Sequence, residues 1–88
     1  MVRRLNDERP ELEYPCRWGY TIIGIHAGAL HDLAARVLAG RDYTLRPSHR
    51  SSSGKYVSLA IELEVRDEED RVGIFEALKA DGAVTFVL

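Results

Sequence analysis

The 88 residues suffice for one domain, and a chain of this size buries only about 60–65% of the surface its unfolded form exposes, which leaves one modest core and little room for a deep enclosed active site. Apolar residues make up 45% and charged residues 30%, a globular balance rather than a disordered one. The net charge of −2 argues against a nucleic-acid binder, because phosphate neutralisation normally demands a basic excess.

In chain order, residues 1–13 are charged and poor in apolar side chains, and read as a flexible tail. They contain basic residues but no apolar h-region, so they do not form a secretory signal. Residues 14–88 read as a single domain. Trp18 to Ile25 is predicted to be the first strand, uncharged and rich in aromatic and β-branched residues. Both of its sides are apolar, as a central strand requires. A helix is predicted over Ala29 to Ala39, where Leu30, Leu33, Ala34, Val37 and Leu38 form one apolar stripe. Gly40 stops it, and Gly28 lets the chain turn into it.

Tyr43 to His49 is predicted to be a second strand, placed at an edge because Pro47 cannot donate to a ladder. Arg50 to Gly54 reads as a hairpin loop. Lys55 to Val65 shows strict alternation, with Val57, Leu59, Ile61, Leu63 and Val65 on one face and Ser58, Ala60, Glu62 and Glu64 on the other. Asp67 caps a second helix whose first-turn Glu68, Glu69 and Asp70 complement the helix dipole. Val72, Phe75, Ala77 and Leu78 are its expected buried side. Asp81-Gly82 ends the helix, and Ala83 to Leu88 is the last strand.

The order βαββαβ with one apolar stripe per helix puts both helices on one face of a four-stranded antiparallel sheet. Right-handed crossovers give a ferredoxin-like α+β sandwich with strand order 4-1-3-2.

Little in the sequence points to catalysis. His26, His31, His49 and Cys16 show no paired metal-ligand spacing, so no metal site is expected. Cys16, the single cysteine, cannot form an internal disulfide, which fits a reducing compartment. It has no base placed near it for nucleophilic work. The loop around Gly24 to His31 lacks the arginine that a phosphate-gripping loop on this fold needs. No apolar stretch approaches the ~18 residues of a membrane helix, and a cytoplasmic chain is expected.

Two surfaces attract attention. The segment from Arg46 to Lys55 holds Arg46, Arg50 and Lys55, no acid and many hydroxyls, a composition suited to a carboxylate or phosphate or to a solvated hairpin. The second is the open sheet face, where Trp18, Tyr20 and Tyr56 are expected to cluster. They would form an interface or pack beneath Tyr14 and Pro15. Tyr20 and Tyr56 also supply the aromatics of an alternative, an RNA-binding sheet, against which Glu62 and Glu64 count.

Glu13-Tyr14-Pro15, Trp18, Tyr20 and Gly24, then Asp42-Tyr43-Thr44, Arg46-Pro47-Ser48, Ser52 to Ser58 and Val84 to Leu88 together resemble the YbeD-like family. The resemblance spans Glu13 to Leu88. It implies a bacterial, ACT-like α–β plait of unknown function with a proposed link to lipoate metabolism, and it carries no agreed catalytic residues. The expected function is a non-catalytic regulatory or interaction module without a cofactor. It would bind a small ligand or a protein partner through Trp18, Tyr20, Arg46, Arg50, Lys55 and Tyr56, with a homodimer as one arrangement.

Overall fold

The computed structural model describes residues 12–50 and 54–88, without the side chains of His49 and Arg50. The expected tail, save Leu12 and Glu13, and the hairpin tip at 51–53 lie outside the described residues. The elements are β1 (Cys16–Gly24), α1 (Ala27–Val37), β2 (Tyr43–Arg50), β3 (Val57–Val65), α2 (Glu68–Lys79) and β4 (Phe86–Val87). The sheet order is β2-β3-β1-β4, the expected order read from the other edge. All three strand pairings are antiparallel.

The alternation of β3 organises the core. Leu59, Ile61, Leu63 and Val65 are each at most 2% exposed, and on β1 the row with the same role is Tyr20 and Ile22. Helix α1 contributes Leu30, Leu33, Ala34 and Leu38, and α2 contributes Ile74 and Leu78, to one continuous cluster. Each apolar stripe can cover only one sheet face. The opposite face of β3, at Glu62 and Glu64, is exposed.

Helix α2 starts where expected. The Asp67 carboxylate accepts from the Asp70 backbone N–H at 2.7 Å, filling one of the orphan donors of the first turn. Its buried side differs from expectation. Val72 is 40% exposed and Ala77 is exposed, whereas Ile74 and Leu78 are buried with Phe75 beside them. The stripe i, i+1, i+4 from Ile74 fixes the helical phase, and Val72 falls outside it. Helix α1 begins two residues earlier than expected and includes Gly28. After its end Gly40 adopts a φ of +79°, the left-handed conformation that glycine reaches without a Cβ penalty.

The edges behave as their residues require. β2 has only β3 as neighbour, and its register shifts between Pro47 and Arg50, so the missing proline N–H is absorbed at an irregular edge. β4 is shorter than the expected Ala83 to Leu88, but the ladder continues past it. The Thr21 N–H donates to the Leu88 carbonyl (3.1 Å) and the Leu88 N–H to the Thr21 carbonyl (2.8 Å). No helix among the described residues is long and apolar enough to cross a membrane.

Gly24 and Gly73 make a contrasting pair. A Cβ on Gly24 would collide with the Ala83 carbonyl oxygen and press on Leu30 Cδ2 at 3.1 Å, whereas one on Gly73 would meet nothing within 4 Å. Gly24→Ala is expected to lower stability by about 1–3 kcal/mol, because β1 must move away from the segment leading into β4. Gly73→Ala is expected to raise it by about 0.5–1 kcal/mol through helix propensity. Urea denaturation of the two variants beside the parent chain checks both signs.

Candidate functional site

Trp18 and Tyr20 face the helices, not the open sheet face. Residues 18, 20 and 22 share one side of β1, and Ile22 on that side is fully buried. Tyr20 is 3% exposed, and its hydroxyl donates to the Arg71 carbonyl of α2 at 2.7 Å. Burial, first of all, raises the Tyr20 hydroxyl above its ordinary pKa, and nearby Arg71 opposes that rise. The Arg71 guanidinium lies 4.8 Å from the Trp18 ring centroid, within cation–π range, and its Nε donates to the Tyr14 hydroxyl at 3.0 Å. The segment entering β1 therefore does pack with Trp18, but on the helix side.

Beside this cluster lies the strongest charge constellation of the described residues. Arg41 grips Asp70 with two nitrogens, at 2.8 and 2.7 Å, and donates to the Glu64 carbonyl at 3.1 Å. The Arg66 backbone N–H donates to Asp70 Oδ2 at 2.9 Å. The Asp70 side chain is only 8% exposed. The bidentate Arg41 pair foremost, then the bonds from Arg66, hold its carboxyl far below the ordinary 3.8, while its partial burial opposes them. The same pair raises Arg41. These bonds tie the segment after α1, the end of β3 and the start of α2 together, and they occupy Asp70 fully. At the other end of α2, Asp81 is lowered by the Ala83 backbone N–H and by Arg36. Among the described residues, the acidic stretch from Glu62 to Asp70 meets Arg17, Arg41 and Arg66.

The expected binding residues separate into three places. Trp18 and Tyr20 lie under the helices. Lys55 and Tyr56 sit just before β3, the ammonium 5.4 Å from the ring centroid, and the side chain of Arg50 lies outside the described residues. Arg46 is on the open face. There it joins residues that the sequence reading did not assign to a binding site. A shallow hollow of about 100 Å³ is lined by Gly19, Thr21, Thr44, Arg46, Ala60 and Glu62, with the strand backbone at Tyr20 and Ile61 as its floor. The register places Gly19 opposite Glu62, and Thr21 and Arg46 on either side of Ala60. Two small residues thus leave space between a guanidinium, a carboxylate and two hydroxyls.

Gly19 is not forced by packing. A Cβ there would make only an ordinary contact, 3.7 Å from the Ile61 carbonyl oxygen, although glycine in a strand interior is unfavourable by roughly 0.5–1 kcal/mol. The signal available in the sequence was a glycine in the middle of a strand, which marks a bulge or a close approach. Towards β4 the open face turns apolar. Phe86, opposite Ile23, is 57% exposed and Leu88, bonded to Thr21, is 74% exposed. Among the described residues no three His, Cys, Asp or Glu side chains are grouped to hold a metal ion.

A family model described as "Protein of unknown function (DUF493)" matches residues 9–88. The chain belongs to that family. Among DUF493-like relatives, the uncharacterized protein Cj0253 of Campylobacter jejuni is 35% identical over 74 residues, covering 83% of this chain and 84% of its own. A UPF0250 protein of Hahella chejuensis is 29% identical over 85 residues, covering 92% and 93%. The solution structure of protein HP0495 from H. pylori superposes with a TM-score of 0.80 at 26% identity, over 94% of this chain and 91% of that one. The α+β fold with two helices on a four-stranded antiparallel sheet is therefore shared with a solved structure.

Because Asp70 is held ionised in the folded state, its contribution to stability is present above the ordinary carboxylate value and is lost as pH falls from there towards its lowered folded value. Stability is expected to drop below about pH 4. Asp70→Asn should be less stable at pH 7 but show a shallower decline between pH 5 and 3, a slope that denaturant midpoints across that range measure.

Proposed function

We propose that this DUF493 chain is a non-catalytic binding module of the regulatory kind, acting in the cytoplasm and related to YbeD-like proteins. It receives a small ligand or a protein partner on the sheet face that the helices leave uncovered. The observation that carries this reading is the makeup of that face: a polar hollow around Arg46 and Glu62 adjoining the exposed side chains of Phe86 and Leu88. Apolar side chains grouped beside fixed charges on an otherwise polar surface favour association.

The non-catalytic part is supported by where the perturbed groups are. Asp70, Arg41, Arg71 and Tyr20 are each held by a partner within the fold. Catalytic groups by contrast converge with shifted pKa values on a cleft. The RNA-binding alternative needs stacking aromatics on the open face. Tyr20 is turned under the helices, and Glu62 and Glu64 stand exposed on the open side, where they repel phosphate. A second copy of the chain is one candidate partner for the same face.

A photo-crosslinking side chain placed at Thr21, on the open face, should yield an adduct of raised mass in cells, whereas the same group at Ala35, on the outer side of α1, should not. Adducts confined to the Ala35 position would move the binding surface to the helices and defeat the proposal.

A further inference from the structure

The hollow on the open face presents opposite charges across a small space. Arg46 stands on β2 next to Ala60, and Glu62 on β3 next to Thr44 and across from Gly19. Neighbouring same-face positions on paired strands lie roughly 5–8 Å apart. Glu62 is oriented from outside the hollow: Arg17 holds its Oε1 at 3.2 Å. Its second oxygen receives no donor among the described residues. Arg46 makes no ion pair among them either. The Thr21 hydroxyl adds a donor and an acceptor at the rim, whereas the Thr44 hydroxyl donates to the Glu62 backbone carbonyl at 3.5 Å and offers its oxygen as an acceptor.

Charge and size restrict what fits. A simple anion on Arg46 would be repelled by Glu62, and a simple cation on Glu62 by Arg46 and Arg17. A molecule carrying both charges satisfies both walls at once. A hollow of about 100 Å³ has the room of about three waters, which admits a handful of heavy atoms. Resting on the reading of this face as the binding surface, we infer that the hollow is a site for a small zwitterion of the α-amino-acid type. The ligand carboxylate lies on Arg46 with the Thr21 hydroxyl, its ammonium on the free oxygen of Glu62, and its short side chain points to solvent. The absent side chain of Gly19 makes this space. Exposure of both charged walls to water keeps the affinity modest, roughly millimolar.

The test is an amide chemical-shift titration of the full chain with L-alanine, beside sodium acetate and methylammonium chloride at matched ionic strength. L-Alanine is expected to give saturable shifts centred on Gly19, Thr21, Thr44 and Ala60. Each half-ligand should bind at least about tenfold more weakly. Arg46→Gln and Glu62→Gln should each abolish saturation while leaving the amide spectrum of the helices unchanged. Gly19→Leu, which fills the hollow, should do the same. Absence of saturable shifts with L-alanine, or equal shifts with either half-ligand, overturns the inference. If Thr21 still crosslinks in cells after such a result, the zwitterion assignment alone has failed. Loss of both results removes the open-face reading as well.

Discussion

The rest of the structure depends on one packing constraint: two helices with a single apolar stripe each can bury only one side of a four-stranded sheet. On β3 the constraint is visible residue by residue. Leu59, Ile61, Leu63 and Val65 are sealed beneath Leu30, Leu33, Leu38, Ile74 and Leu78, while Glu62 and Glu64 between them stay in water. Burial of that row holds the sheet to the helices. Each of its side chains contributes about 1.5–3 kcal/mol relative to exposure. The same alternation leaves the opposite face with no helix to cover it, and that face carries the hollow and the apolar corner.

A second layer of organisation is electrostatic. Asp70 accepts from Arg41 twice and from the Arg66 backbone, and Arg41 reaches on to the Glu64 carbonyl. The segment after α1 thus meets the adjoining end of β3 and start of α2 at one carboxylate, next to the Tyr14–Arg71–Trp18 stack. Such a partly buried, charge-assisted network fixes geometry more than it adds net stability. Its position on the helix side separates the groups that hold the fold from the charges of the open face.

Much of the fold was legible in the residues. The β3 alternation, the α1 stripe, the Asp67 cap and Pro47 at an edge each had a local cause, and together they determined the strand order. The face of Trp18 and Tyr20 was not legible. Thr21, Ile23 and Ile25 on the other side of β1 are as apolar as Trp18, Tyr20 and Ile22, so parity alone could not say which side meets the helices. Ile74 was missed because Val72 and Phe75 offered a competing helical phase. The Arg41–Asp70 pair spans 29 positions and leaves no local pattern. Of the site, Arg46 was legible as an unopposed cation. Its companions Gly19, Thr21, Thr44, Ala60 and Glu62 come together only through the register of three strands, which no spacing along the chain reveals.

In the proposed function the open face serves binding rather than folding. The measurement that bears on this most directly is the unfolding free energy of a chain carrying Arg46→Gln, Glu62→Gln and Thr44→Ala together, by denaturant titration. The account predicts stability within about 1.5 kcal/mol of the parent chain, the sum expected for three surface changes and one exposed ion pair. A loss of about 2–5 kcal/mol, the scale of truncating a buried leucine, would show that these side chains hold the fold together and would contradict the assignment of that face to binding.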